Sequence, residues 1–192
     1  MKDWKKEIFT IPNMLSMIRL LMIPVYMTIY LHAQTTDDFV LAAAILTLSC
    51  LTDLIDGKIA RRFHMTSIVG QVLDPIADKA TQLSLLVCMA IEYPIVWTLL
   101  MLFALKEGYQ LIAMLLAYRK GKILKGALLS GKICTTVLFT SLIGMVMFHD
   151  YLHQTIVSVV TIVNTIFMVI SFAHYAYTYK NNTSMIRDLN ES

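Results

Sequence analysis

Residues Asp53 to Asp78 read DLIDGKIARRFHMTSIVGQVLDPIAD, placing four aspartates on one short stretch. The 192-residue chain around them is 57% hydrophobic, with a mean hydropathy of +0.66. Soluble domains carry roughly 45–50% apolar residues. The excess lies in six long segments: Pro12–His32, Asp38–Arg62, Ile68–Tyr93, Pro94–Tyr118, Gly126–His149 and Leu152–Tyr179. Each can cross a hydrocarbon core of about 30 Å as a helix. Lipid offers the backbone no hydrogen bonds, so open strands are excluded. The expectation is an all-α polytopic membrane protein with six transmembrane helices. The aspartates then fall at the end of the second helix and the start of the third.

The basic residues orient this bundle. Lys2, Lys5 and Lys6 precede the first segment, and Arg61 and Arg62 end the second. Arg119, Lys120, Lys122 and Lys125 separate the fourth from the fifth, and Lys180 and Arg187 follow the sixth. All of these fall on one side, while the loops around Ala33–Asp37, Glu92 and Asp150 have no Lys or Arg. Both termini are therefore expected in the cytoplasm. The net charge of +3 reports this asymmetry and attraction to anionic lipid, not a nucleic-acid partner. MKDWKKEIF (1–9) has the mixture of an interfacial N-terminal helix. Residues 1–180 read as one domain, and 181–192 as a polar tail. Cys50, Cys88 and Cys134 lie in apolar segments without CxxC spacing, and read as thiols. His149 and His153 are four apart, but with no third ligand in view they read as interfacial histidines.

Asp53 and Asp56 are three apart, and Asp74 and Asp78 four apart, so each pair shares a helix face. Four carboxylates in a weak dielectric repel strongly unless protonated or neutralised by cations. Hard oxygen ligands suit Mg²⁺, Mn²⁺ or Ca²⁺, and two facing pairs suit a two-metal site. Gly57, Ala60 and Gly70 leave room for a ligand near the backbone. Arg61 supplies a planar fork for phosphate oxygens. Together these point to a metal-bound diphosphate.

The pattern Asp53-x2-Asp56-Gly57-x2-Ala60-Arg61-x8-Gly70-x3-Asp74-x3-Asp78 resembles the signature of the CDP-alcohol phosphatidyltransferase family. IPNMLSMIRLLMIP (Ile11–Pro24) and LDPIADK (Leu73–Lys79) are similar to the first and third helices of its phosphatidylglycerophosphate synthases and CMP-forming cardiolipin synthases. The resemblance implies transfer of a phosphatidyl group from CDP-diacylglycerol to a small anionic or lipid alcohol, with release of CMP. It implies Asp53, Asp56, Asp74 and Asp78 as ligands for two Mg²⁺ or Mn²⁺ ions, and Asp78 as the catalytic base. Thr52, Gly57, Ala60, Arg61 and Gly70 would bind CDP. It further implies a homodimer in a bacterial cytoplasmic membrane, with the site facing the cytoplasm.

Glycerol 3-phosphate is the expected acceptor, and phosphatidylglycerol, giving cardiolipin, the alternative. Intramembrane cations are functional candidates by default, so Arg19, Lys106 and Lys132 are the candidate acceptor-phosphate residues. Members of the family commonly carry Arg-Glu in the fourth helix and another Arg two turns on. This chain has Lys106-Glu107 and Met114 there. Ser130-Gly131-Lys132-Ile133-Cys134-Thr135 resembles their GK-x-K-T segment, with Cys134 at the second Lys. A divalent-cation transporter would also use intramembrane carboxylates, but would not need Gly57, Ala60, Arg61 and Gly70 at these spacings.

Overall fold

The computed structural model describes residues 11–62, 68–119, 122–124, 129–181 and 186–188, with backbone alone at 11–12, 52–62, 68–72, 117–118, 122–124, 180–181 and 186–188. The expected N-terminal interfacial helix lies outside these residues. Six helices follow the apolar segments: α1 Ile11–Leu31, α2 Thr36–Arg62, α3 Ile68–Glu92, α4 Val96–Arg119, α5 Leu129–Met147 and α6 Gln154–Asn181. Among the described residues, α1, α4, α5 and α6 each contain a window long and apolar enough to cross a membrane. The helices α2 and α3, at 27 and 25 residues, have the length but carry the charged cluster.

The core is apolar, with Leu85, Leu86, Met89, Leu99, Leu138 and Leu142 buried, but it also encloses polar side chains, and the outer surface is rich in large apolar ones. Asn13, Ser16, Arg19, Gln82, Lys106 and Asn164 are buried, while Leu21, Met101, Leu111, Ile162, Ile166 and Ile170 are exposed. An outer surface of large apolar side chains, with polar groups kept to the interior of the bundle, suits a lipid environment.

The chain packs as two compact units. The first comprises residues 1–92 and 142–152, the second 93–141 and 153–192. Within the first, α1 packs on both α2 and α3. A four-residue link turns α1 into α2. Asp38 accepts hydrogen bonds there from the backbone N–H of Gln34 and Thr35 and from the Thr35 hydroxyl, so its carboxylate satisfies donors at the start of α2.

Polar contacts tie α1 to α3 along their length. Ser16 bonds Asp74, Arg19 bonds Asp78, Tyr26 donates to Ser84, and Tyr30 meets Met89 and Glu92. The first three pairs are 58 or 59 positions apart in sequence. A constant offset means that the two helices run parallel. Pro24 and Pro75 lie inside α1 and α3. The ring of a proline is tolerated without loss only in the first turn of a helix. Here α3 starts at Ile68, and Pro75 withholds from Gln71 its intrahelical donor.

The same unit holds a second polar cluster at the far end of these helices. Glu92 accepts from Tyr30 Oη at 2.6 Å and pairs with His149 Nε2. The His149 ring stacks on Phe39, with centroids 3.6 Å apart, and Thr36 donates to Asp150. The histidine at 149 thus fastens the 3-10 turn His149–Tyr151 to α1, α2 and α3, whereas His153 is exposed. Tyr30→Phe, which removes one buried donor to a carboxylate, is expected to cost about 1–2 kcal/mol. Thermal unfolding in detergent would register it as a Tm roughly 2–8 °C lower.

In the second unit α4 packs on α6. Tyr109 meets Phe172 edge-on at 5.3 Å, and the Tyr179 hydroxyl reaches the carbonyl of Ala113. These contacts advance together along both chains, so α4 and α6 also run parallel. A departure from the all-α expectation is a short ribbon, β1 (Lys122–Leu124) paired antiparallel with β2 (Ile186–Asp188). It draws part of the polar tail onto the basic loop. Ile123, Leu124 and Ile186 supply apolar, partly β-branched residues in otherwise polar sequence, but three residues are too few to show a period.

Candidate active site

The third helix brings two of the four aspartates into view. Asp74 and Asp78 stand one turn apart on one face of α3, as their spacing requires. Asp74 is partly buried. The Asp78 side chain is 51% exposed, so the carboxylate is both anchored and reachable.

The anchoring comes from α1. Asn13, Ser16 and Arg19 recur every three residues, lie on one helix face and are all buried. Ser16 donates its hydroxyl hydrogen to Asp74 Oδ1. Arg19 donates from Nη1 to Asp78 Oδ1 at 2.6 Å, and only 6% of its side chain is exposed. From the sequence Arg19 is a candidate either for acceptor phosphate or for pairing with an aspartate, and the structure shows the aspartate pairing. Ser16 was missed altogether. The available signal was its position one turn before an intramembrane arginine, on the same face.

Asp53 and Asp56 lie in α2 with helical backbone, together with Thr52, Gly57, Ala60 and Arg61, and Gly70 lies in the first turn of α3. Their side chains are outside the described atoms, so the expected convergence of the two aspartate pairs falls there too. The described donors are hard oxygens: two carboxylates one turn apart, held from behind by O–H and N–H donors. That chemistry fits Mg²⁺ or Mn²⁺. Among the described residues no group of three or more ligating side chains stands together, so the fit rests on Asp74 and Asp78 with the aspartates of α2 added from the sequence.

A narrow recess is lined by Arg19, Tyr26, Ser49 and Thr81 with apolar Met22 and Leu46. Its polar lining comes from α1, α2 and α3.

The remaining acceptor candidates belong to the second unit. Lys106 is 1% exposed, and its ammonium donates to Glu107 Oε1 at 2.9 Å. Lys132 is exposed on α5, with its carbonyl accepting from the hydroxyls of Thr135 and Thr136. On α6, the buried Asn164 Oδ1 and Ser171 Oγ have no hydrogen-bond partner among the described residues. The second unit thus combines a buried cation with unsatisfied polar atoms, the ingredients of a polar ligand site.

The sequence profile described as CDP-alcohol phosphatidyltransferase matches residues 9–177. The chain is similar to a cardiolipin synthase (CMP-forming)/mitochondrial hydrolase fusion protein of Schizosaccharomyces pombe, at 41% identity over 46% of this chain and 14% of that one. It is also similar to the cardiolipin synthase (CMP-forming) of Streptomyces coelicolor, at 36% identity over 60% of this chain and 54% of that one. A probable phosphatidylglycerophosphate synthase of Mycobacterium tuberculosis is 31% identical over 62% of this chain and 58% of its own length. The matched stretches thus leave a large part of each relative uncovered.

Proposed function

The chain belongs to the CDP-alcohol phosphatidyltransferase family, and on that premise we propose an enzyme of phospholipid biosynthesis that transfers a phosphatidyl group from CDP-diacylglycerol to an alcohol, releasing CMP. The observation that carries this reading is the Asp74–Asp78 pair, one turn apart on α3 and gripped from α1 by Ser16 and Arg19. With Asp53 and Asp56 these carboxylates would hold two Mg²⁺ or Mn²⁺ ions, whose charge would neutralise the diphosphate and stabilise CMP as leaving group.

The chain's own groups supply the remaining chemistry. Asp78 takes the proton of the acceptor hydroxyl as its oxygen attacks the phosphatidyl phosphorus. The phosphorus–oxygen bond to the cytidylyl group breaks, and CMP departs with the bridging oxygen. Gly57, Ala60 and Gly70 let CDP approach the backbone closely, with Thr52 beside it and Arg61 forked on a phosphate.

Glycerol 3-phosphate is the acceptor in this proposal, giving phosphatidylglycerophosphate. It is supported by the buried cation Lys106, with Lys132 as a further candidate phosphate contact, and by similarity to the mycobacterial probable phosphatidylglycerophosphate synthase. Phosphatidylglycerol is the second reading, favoured by the higher identities to the two cardiolipin synthases. All six helices would span a bacterial cytoplasmic membrane, with both termini and the site on the cytoplasmic side. Residues 1–180 would form one catalytic domain, in keeping with the extent of the family match, and the enzyme would be a homodimer.

The test incubates purified protein with CDP-diacylglycerol, Mg²⁺ and either alcohol, following CMP and lipid product. CMP release with glycerol 3-phosphate and formation of phosphatidylglycerophosphate is the expected result. Cardiolipin as sole product would install the second reading. Cation uptake into vesicles, without CMP release from any alcohol, would overturn the enzyme.

A further inference from the structure

We infer that Arg19 and Ser16 are positioning residues for the metal-binding carboxylates: α1 carries a resident counter-charge that holds Asp78, and a hydroxyl that orients Asp74. The inference rests on the metal-site reading proposed above and adds to it a role for α1.

Several observations converge on it. Arg19 sits in an apolar helix, in a 19-residue window of mean hydropathy 1.7. A cation there is expensive unless it is partnered, and long basic side chains normally escape by reaching toward the interface. Arg19 does not escape. Its side chain is 6% exposed and its Nη1 lies 2.6 Å from Asp78 Oδ1.

One turn earlier on the same face, Ser16 grips the other α3 carboxylate through Oδ1. Both donors thus approach from α1 and each takes one oxygen, while half of the Asp78 side chain stays exposed. Carboxylates one turn apart on a helix repel, and on the metal-site reading Asp53 and Asp56 would add to the negative charge. A fixed guanidinium reduces that repulsion whether or not a divalent ion is bound. It also defines the direction in which Asp78 faces.

A merely structural ion pair would contribute equally with and without metal. A resident counter-charge would not, because a bound divalent ion offsets its loss. The experiment compares wild type and Arg19→Gln, each purified in parallel with EDTA and with saturating Mn²⁺, by thermal unfolding. Wild type should gain Tm on Mn²⁺ addition. Arg19→Gln should be less stable in EDTA, and its gain should exceed that of wild type by roughly 3–6 °C.

Recovery of the variant only when Mn²⁺ is present throughout would be the extreme form of the same result. Equal gains in the two proteins, or loss of Arg19→Gln under both conditions, would overturn the role of Arg19. If wild type itself gained nothing from Mn²⁺, the metal-site reading would fall, an outcome distinct from equal gains.

Ser16 is tested by titrating Mn²⁺ and following the free-ion electron paramagnetic resonance signal. Ser16→Ala should weaken Mn²⁺ binding about 10-fold, as loss of a hydrogen bond to a ligating carboxylate does, and Ser16→Thr should restore it. Unchanged affinity in Ser16→Ala would remove Ser16 from the assignment.

Discussion

Asparagine at position 78 is expected to lower CMP release by about 10²–10⁴-fold, the contribution typical of a positioned general base. The substitution is nearly isosteric. Its amide oxygen can still accept from Arg19 Nη1, the contact that fixes this side chain to α1. Asp78→Asn should therefore fold and retain most of its affinity for Mn²⁺ and for CDP-diacylglycerol. What it cannot do is accept a proton from the acceptor hydroxyl. Single-turnover CMP release and Mn²⁺ titration on the same preparation separate the two effects. Near-normal turnover would move the base to another residue, whereas loss of both readouts would make Asp78 principally a ligand.

Chelation should be as damaging. Stripping the protein with EDTA is expected to reduce activity by about 10³-fold or more, since charge stabilisation by a metal contributes several kcal/mol to the transition state. Restored Mg²⁺ or Mn²⁺ should return it. In Asp74→Ala the loss should persist at any metal concentration, because a hard-oxygen donor on α3 is gone. The Ser16 hydroxyl, which bonds Asp74, would then have to find another acceptor. Full activity in EDTA-treated protein, with residual metal excluded by elemental analysis, would refute the proposed cofactor.

The helices were legible because lipid imposes a coarse rule: apolar runs of sufficient length, cut by charge, Pro and Gly. The starts and ends of α1 to α6 fall within three residues of the segments read from the sequence. The Asp74–Asp78 face was legible for a similar reason, since four-residue spacing fixes a shared helix surface. Partners across helices were not. Periodicity says which residues share a face, but not which residue of another helix they meet. Ser16 gives a weak signal in an apolar run, and Arg19 is equally compatible with a phosphate, an aspartate or the interface. Likewise His149 was set beside His153 by spacing, while its ring meets Glu92 and Phe39, residues far away in sequence. The β1–β2 ribbon escaped because three-residue strands carry no readable alternation.

The parallel run of α1 and α3 bears on how the protein is made. Lipid tails are as apolar as leucine, so sliding one helix along another changes little apolar burial. The polar contacts Ser16–Asp74, Tyr26–Ser84 and Tyr30–Glu92 define the register instead, and a one-turn slip would break them together. Their α1 members emerge from the ribosome well before their α3 partners. The synthesis of α1 and α2 can therefore precede, but not complete, the alignment of α1. Only when the chain has been synthesised through Glu92 can the last of these contacts close, and the carboxylate site is finished with them.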